Sequence, residues 1–172
     1  MPYINLDATD LRIMKVLQED GKLSNADLSE KVGLSASPCL RRVRRLEQDG
    51  FIQTYRAVLD RQAIGLSLTV FLAIKQDNAS QDAVDQLESE LRTMPEIINC
   101  HATSGDSDYL VELVVSNVNA FEQLLSKTLR KLPNIREIRS TIALKSIKSE
   151  SPLPLSHLKR EPGKVREAPP DC

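Results

Sequence analysis

The chain has 172 residues, 41% apolar and 27% charged, with 23 Lys and Arg against 24 Asp and Glu and a formal net charge of −1. That length holds one ordinary domain or two small ones, and the balance excludes a uniformly basic, histone-like binder and an acidic solvating chain. Aromatic residues at 3% with no Trp leave little from which to build a cage or base-stacking sheet of rings.

Asp7 can cap a first helix that carries Ile13, Met14 and Leu17 on one face, with Gly21 as its C-terminal stop. Ser24 with Asp27 resembles a capping box opening a second helix through Leu28 and Val32. A third helix starts at Ser35 or Ser37, tolerates Pro38 in its first turn and runs to Gly50. The following FIQTYRAVLD is rich in β-branched and aromatic residues and predicts a short hairpin. Helix, helix, tight turn, helix and a β-wing is the order of a winged helix-turn-helix.

Beyond residue 60 the hydrophobic period changes. LSLTVFLAIK (66–75) predicts a strand, and SQDAVDQLESELRTM (80–94) a helix with Val84, Leu87 and Leu91 on one face. IINCHATSG (97–105) and DYLVELVV (108–115) predict two strands joined by a tight turn. NVNAFEQLLSKTLRKL (117–132) predicts a helix capped by Asn117 and stopped by Pro133, before a last strand from Ile135 to Leu144. The order β-α-β-β-α-β is the ferredoxin-like arrangement, in which one sheet face carries both helices and the other needs a partner. The expected fold class is therefore α+β. Residues 1–60 are expected to form a winged helix-turn-helix domain, 61–65 a linker, and 66–150 a ferredoxin-like domain. Residues 151–172, which hold five of the nine prolines and His157, form a disordered tail.

The net charge hides a concentration: CLRRVRRLEQ puts four arginines into five positions of the third helix. At about 100° per residue, Cys39, Val43 and Leu46 share one face with Leu40 at its flank, and Ser37, Arg41, Arg44, Arg45 and Gln48 point the other way, with Arg42 between. Arginine there can pair with guanine or clamp phosphate, and the helix N-terminus with Ser35 and Ser37 offers donors to another phosphate. Arg56 in the wing is a further candidate. The alternative is a solvated basic face paired with Glu47 and Asp49. Acids equal bases, nine to nine, over residues 1–60, so the basic character is confined to one helix face.

LSNADLSEKVGLS (23–35), SPCLRRVRRLEQDGFI (37–52), SGDSDYL (104–110) and LPNIREIRSTIALKSIK (132–148) resemble the corresponding segments of the Lrp/AsnC, or feast/famine, transcription regulators. The resemblance spans Leu6 to about Leu155. It implies a helix-turn-helix mapping to Asn25 through Arg44, with Asn25 and Pro38 counted among the DNA-binding positions. It further implies a regulatory domain that dimerises through its sheet and assembles further, to octamers, reading a pseudo-palindromic site in double-stranded DNA. Amino-acid effectors would bind at Gly105, Asp106, Ser107, Asp108, Tyr109, Val118, Thr141, Ile142 and Ala143. Chemically, a glycine turn can offer N–H groups to a carboxylate and an aspartate can receive an ammonium. SGDSD read by itself is equally a plain hairpin turn with Gly105 at positive φ.

No cofactor and no metal are expected: Cys39, Cys100 and Cys172 match no zinc or redox spacing, and Cys100 and His101 point to opposite faces of an extended segment. An enzyme would have to use His101 with Asp106 or Asp108, unaccompanied by a phosphate loop or nucleophile elbow, so the chain is not expected to be one. No apolar run reaches the roughly 18–20 residues of a membrane span, and MPYINLDATDLR lacks the features of a secretory signal. The expected location is the cytoplasm, in association with the bacterial nucleoid. A nucleoid-organising architectural protein is the competing function, sharing every one of these features.

Overall fold

The computed structural model describes residues 6–78, 80–149 and 151–158. These form two compact units, one of residues up to Val58 together with those from Lys148 onward, the other Leu59–Ile147.

The first unit is built on α1 (Ala8–Glu19), α2 (Asn25–Val32) and α3 (Ala36–Gln48). Asp7 caps α1 with a full capping box: its carboxylate accepts from the N–H of Thr9 and Asp10, and Asp10 Oδ2 accepts from the Asp7 N–H at 3.0 Å. Ser24 caps α2 by accepting from the Asp27 N–H, but the Asp27 carboxylate takes the Ser24 hydroxyl at 2.6 Å, so the box is closed on one side only. Gly33 ends α2 in the left-handed region, at φ 71°, where a side chain would be strained. Ile13, Met14, Leu28, Val32, Cys39 and Leu46 are buried together as the core.

Three expectations for this unit change. α1 ends at Glu19 with Asp20 as an extended C-cap, and Gly21 after it is not left-handed; a Cβ at Gly21 would lie 3.1 Å from the Tyr55 ring, so the glycine makes room for an aromatic. Residues 53–60 form no hairpin ladder. FIQTYRAVLD contains no Asn-Gly or Asp-Gly turn, and an isolated two-stranded hairpin is marginal. Side chains hold the segment instead: Ile52 packs on the core and the Tyr55 hydroxyl donates to Glu47 Oε1 at 3.0 Å. Third, residues 151–158 are not detached from the fold. Leu153 N–H donates to Gln18 Oε1 at 2.7 Å and its carbonyl accepts from Gln18 Nε2, while Leu155 and Leu158 pack against the helical core. Residues 159–172 of the expected tail lie outside the described residues.

Residues 61–65, expected as a linker, make one helical turn that Asp60 caps and Gly65, at φ 81°, terminates. The second unit then runs β1 (Leu68–Gln76), α4 (Gln81–Thr93), β2 (Ile97–Ala102), β3 (Tyr109–Val115), α5 (Val118–Lys127) and β4 (Ile135–Ile142). The sheet order is β2-β3-β1-β4 with every neighbour antiparallel, the ferredoxin-like topology. Alternation sends Val70, Leu72, Ile74, Tyr109, Val111 and Leu113 to the face covered by Leu87, Leu91 and Phe121. The other face carries Phe71 and Leu110, both over a third exposed, beside Glu112. α5 stops at Lys127, short of Pro133, and a 3-10 turn Leu129–Lys131 follows, fully burying Leu129.

Candidate nucleic-acid interface and effector site

Helix α3 has its apolar side, through Cys39 and Leu46, in the core and its other side in solvent. Its four arginines do not share one environment. Asp10, only 1% exposed, lies under α3 and takes Arg42 Nη1 on one oxygen at 2.8 Å and Arg45 Nη2 on the other at 2.5 Å. Arg42 Nη1 also reaches Asp7 Oδ2 at 2.7 Å. The hydrogen bonds to Asp10 and then Asp7 raise the Arg42 pKa further. Partial burial works against the Asp7 carboxylate, but the Asp10 N–H and Arg42 outweigh it and hold its pKa below the ordinary value.

Arg41 and Arg44 are exposed, as are Ser37 and Gln48. With Leu40, Arg42 and Arg45 they line a shallow depression along the solvent side of α3. Ser35 is the N-cap residue but its hydroxyl makes no capping bond, and Pro38 stands in the first turn, where no N–H is needed. Asn25 braces the turn instead of pointing away from it: its Nδ2 donates to the Ala36 carbonyl at 3.0 Å. Arg56 is exposed on the segment after α3.

In the second unit, the turn between β2 and β3 is held by its own hydrogen bonds. Thr103 N–H donates to the Asp108 carbonyl and the Thr103 hydroxyl to the Ser107 carbonyl. Asp108 Oδ2 accepts the Gln76 N–H at 2.7 Å, beside the register shift at Lys75/Gln76, so this carboxylate repairs the end of β1. Gly105 is not at positive φ, and no atom lies within 4 Å of where its Cβ would be. Gly105 and Asp106 are exposed. Tyr109 faces inward: it is buried, its hydroxyl donates to Glu88 Oε1 at 3.1 Å, and burial followed by that bond pushes its pKa up to about 12.

Thr141, Ile142 and Ala143 are at the other end of the sheet. Thr141 pairs with Phe71, Ile142 with Val70, and the Ala143 N–H donates to the Thr69 carbonyl. Asp108 instead meets β1 at Ile74 and Gln76. Five residues of strand at about 3.3 Å each put roughly 16 Å between the two clusters within one chain. Val118, more than half exposed, opens α5 just after β3 ends at Val115. His101 pairs with Leu110 on the open sheet face, and Cys100 pairs with Val111 on the other. Among the described residues no three His, Cys, Asp or Glu side chains are grouped so as to hold a metal ion.

Residues 6–53 match the model of a winged helix-turn-helix DNA-binding domain, and residues 69–153 that of the Lrp/AsnC ligand binding domain. The leucine-responsive regulatory protein of Klebsiella pneumoniae is 41% identical over 88% of this chain and 93% of its own length. The chain belongs to the Lrp/AsnC family of transcription regulators. The Escherichia coli leucine-responsive regulatory protein is 40% identical over the same shares. Among solved structures, a Neisseria meningitidis transcriptional regulator in complex with L-methionine superposes with a TM-score of 0.87 at 38% identity, covering 90% of this chain and all of that one. An AsnC family regulator from Agrobacterium tumefaciens gives 0.85 at 34% identity with the same coverage.

As an Lrp/AsnC regulator the protein joins a DNA-binding helix-turn-helix unit to a regulatory unit that binds a small ligand. Sequence reasoning missed Asp10. Its signal was present: Asp10 stands at the i, i+3, i+4, i+7 positions of the face that carries Ile13, Met14 and Leu17, where a carboxylate must find a cationic partner. Gln18, the anchor of residues 151–158, had no such signal, because its partner is a backbone 135 residues away.

Proposed function

We propose that the protein regulates transcription from the cytoplasm, as a homo-oligomer that binds pseudo-palindromic double-stranded DNA through α3 and answers to an amino acid. The observation that carries the DNA half is the division of the arginines: Arg42 and Arg45 are tied to Asp10, while Arg41 and Arg44 stand in solvent with Ser37 and Gln48. Ser35, Pro38 and Asn25 shape the helix start, and Arg56 adds a contact outside it. The dimer forms through the open sheet face and assembles further, to octamers. Exposed Phe71 and Leu110 around Glu112 support this, since apolar residues grouped on a sheet face favour a partner.

The effector reading rests on Gly105, which neither backbone conformation nor neighbouring atoms of this chain require to be glycine. Open space at that position suits a ligand approaching the turn of Gly105, Asp106, Ser107 and Asp108. Val118 and Thr141 to Ala143 lie at the far end of the sheet, so a ligand touching both sets would bridge two copies. No cofactor is needed for this role, and it is regulatory rather than catalytic: Asp108, one of the two acids an enzyme could have used with His101, has its carboxylate engaged by the Gln76 N–H.

The test is a screen of the amino acids against the protein bound to its own upstream DNA, with affinity and oligomer size read together. One amino acid should change both, because coupling between ligand and DNA is reciprocal. Absence of any salt-sensitive DNA complex would overturn the reading. Mapping bound sites across the genome separates a regulator, with few strong sites, from an architectural protein, with many weak ones.

A further inference from the structure

Leu40 is a large aliphatic residue on the arginine-lined side of α3. It is 38% exposed and lines the same depression as Ser37, Arg41, Arg44 and Gln48. One exposed leucine by itself is ordinary, so its neighbours decide the matter. Around α3, at about 100° per residue, Leu40 stands about 40° to one side of Arg44, with exposed Glu47 about 20° and half-buried Val43 about 60° beyond it. Arg41 and then Arg45 stand on the opposite side, where Asp10 holds Arg45. The solvent face of α3 therefore runs through cationic and polar side chains from Arg44 round to Arg45, and Leu40, between Arg44 and Glu47, is its aliphatic member.

A basic helix face of this kind fits the major groove, whose floor offers hydrogen-bonding groups and a single type of apolar group, the C5-methyl of thymine. An aliphatic side chain that enters the groove beside arginines loses hydration with no return unless it meets such a methyl. We propose that Leu40 is a specificity-determining residue that reads the methyl group of one thymine in each half-site. The assignment rests on α3 entering the major groove, and it adds an A·T requirement that the arginines do not impose.

The experiment uses the full-length protein and a duplex enriched by it from a random-sequence pool. Each thymine is replaced in turn by deoxyuridine, which keeps every hydrogen-bonding group and removes only the methyl. At one thymine per half-site the wild-type protein should lose about fourfold in affinity, the effect of one methyl group returned to water. Leu40→Ala should bind the thymine and deoxyuridine duplexes equally, while Leu40→Met, which keeps an apolar reach, should still discriminate. A wild-type protein indifferent to deoxyuridine at every position overturns the assignment, as does a Leu40→Ala variant that discriminates as well as the wild type. Failure to enrich any duplex overturns the underlying DNA-binding reading instead, so the two failures are distinct.

Discussion

Arg45 Nη2 lies 2.5 Å from Oδ2 of Asp10, a carboxylate 1% exposed beneath the recognition helix. The same carboxylate holds Arg42, so one buried acid binds two of the four arginines and pins α1 to α3. Arg45→Ala is therefore expected to act mainly on stability and Arg44→Ala mainly on DNA. Removing Arg45 leaves Asp10 one partner short at a cost of about 1–3 kcal/mol, read as a lower urea midpoint of the helical signal. Arg44→Ala should leave that midpoint in place and reduce the salt dependence of DNA affinity by about one unit of log–log slope. Equal stability losses for the two variants would contradict this division.

Gly105 yields a prediction of the opposite kind. Its φ is not positive and a Cβ would meet nothing within 4 Å, so Gly105→Val should fold with an unchanged melting temperature. The added side chain would nevertheless fill the space a ligand needs. Calorimetric titration with the amino acid identified by screening should show at least a tenfold weaker association. A variant that binds the effector normally would move the site away from this turn.

Periodicity made the elements legible because each buries one face: Ile13 and Met14 in α1, Leu87 and Leu91 in α4, and the alternating residues of β1 and β3. What escaped was set by contacts between distant residues. Helical projection puts Arg45 on the solvent side with Arg41 and Arg44, and its side chain is 43% exposed there; its bond to Asp10 was not legible, because an arginine is long enough to reach a carboxylate on another helix and no projection contains that helix. Gly21 looked like a helix stop, whereas its role is set by the Tyr55 ring, 34 positions along the chain. Prolines made residues 151–158 look unstructured, yet a proline-rich segment ending in a 3-10 turn (Ser156–Leu158) can pair its backbone with one glutamine and half-bury two leucines.

That last contact is testable by truncation. Ending the chain after Glu150 removes Leu155 and Leu158 from the helical core and the two hydrogen bonds to Gln18. Two half-buried leucines are worth about 2 kcal/mol together, so the truncated protein should lose roughly that much stability in the helix-turn-helix unit. Leu155→Ala with Leu158→Ala in the full chain should reproduce the loss. An unchanged urea midpoint for both would show that residues 151–158 add nothing to the unit.

Tyr109 tests how the regulatory core is arranged around the turn. Burial, then the bond to Glu88, pushes its pKa up to about 12, above the value of about 10 for a free phenol. A group whose folded pKa is raised contributes its stability fully below the unfolded pKa and loses it as pH rises through the folded one. In a Tyr3→Phe, Tyr55→Phe background, phenolate absorbance should thus titrate near 12, and stability should fall between about pH 10 and 12. Glu88→Gln should lower the midpoint while leaving it above 10, since burial is the larger cause. Because the hydroxyl points at α4 and not at the turn, a bound amino acid should leave the curve unmoved. A midpoint near 10, or one displaced by the effector, would mean that Tyr109 faces the ligand with its side chain.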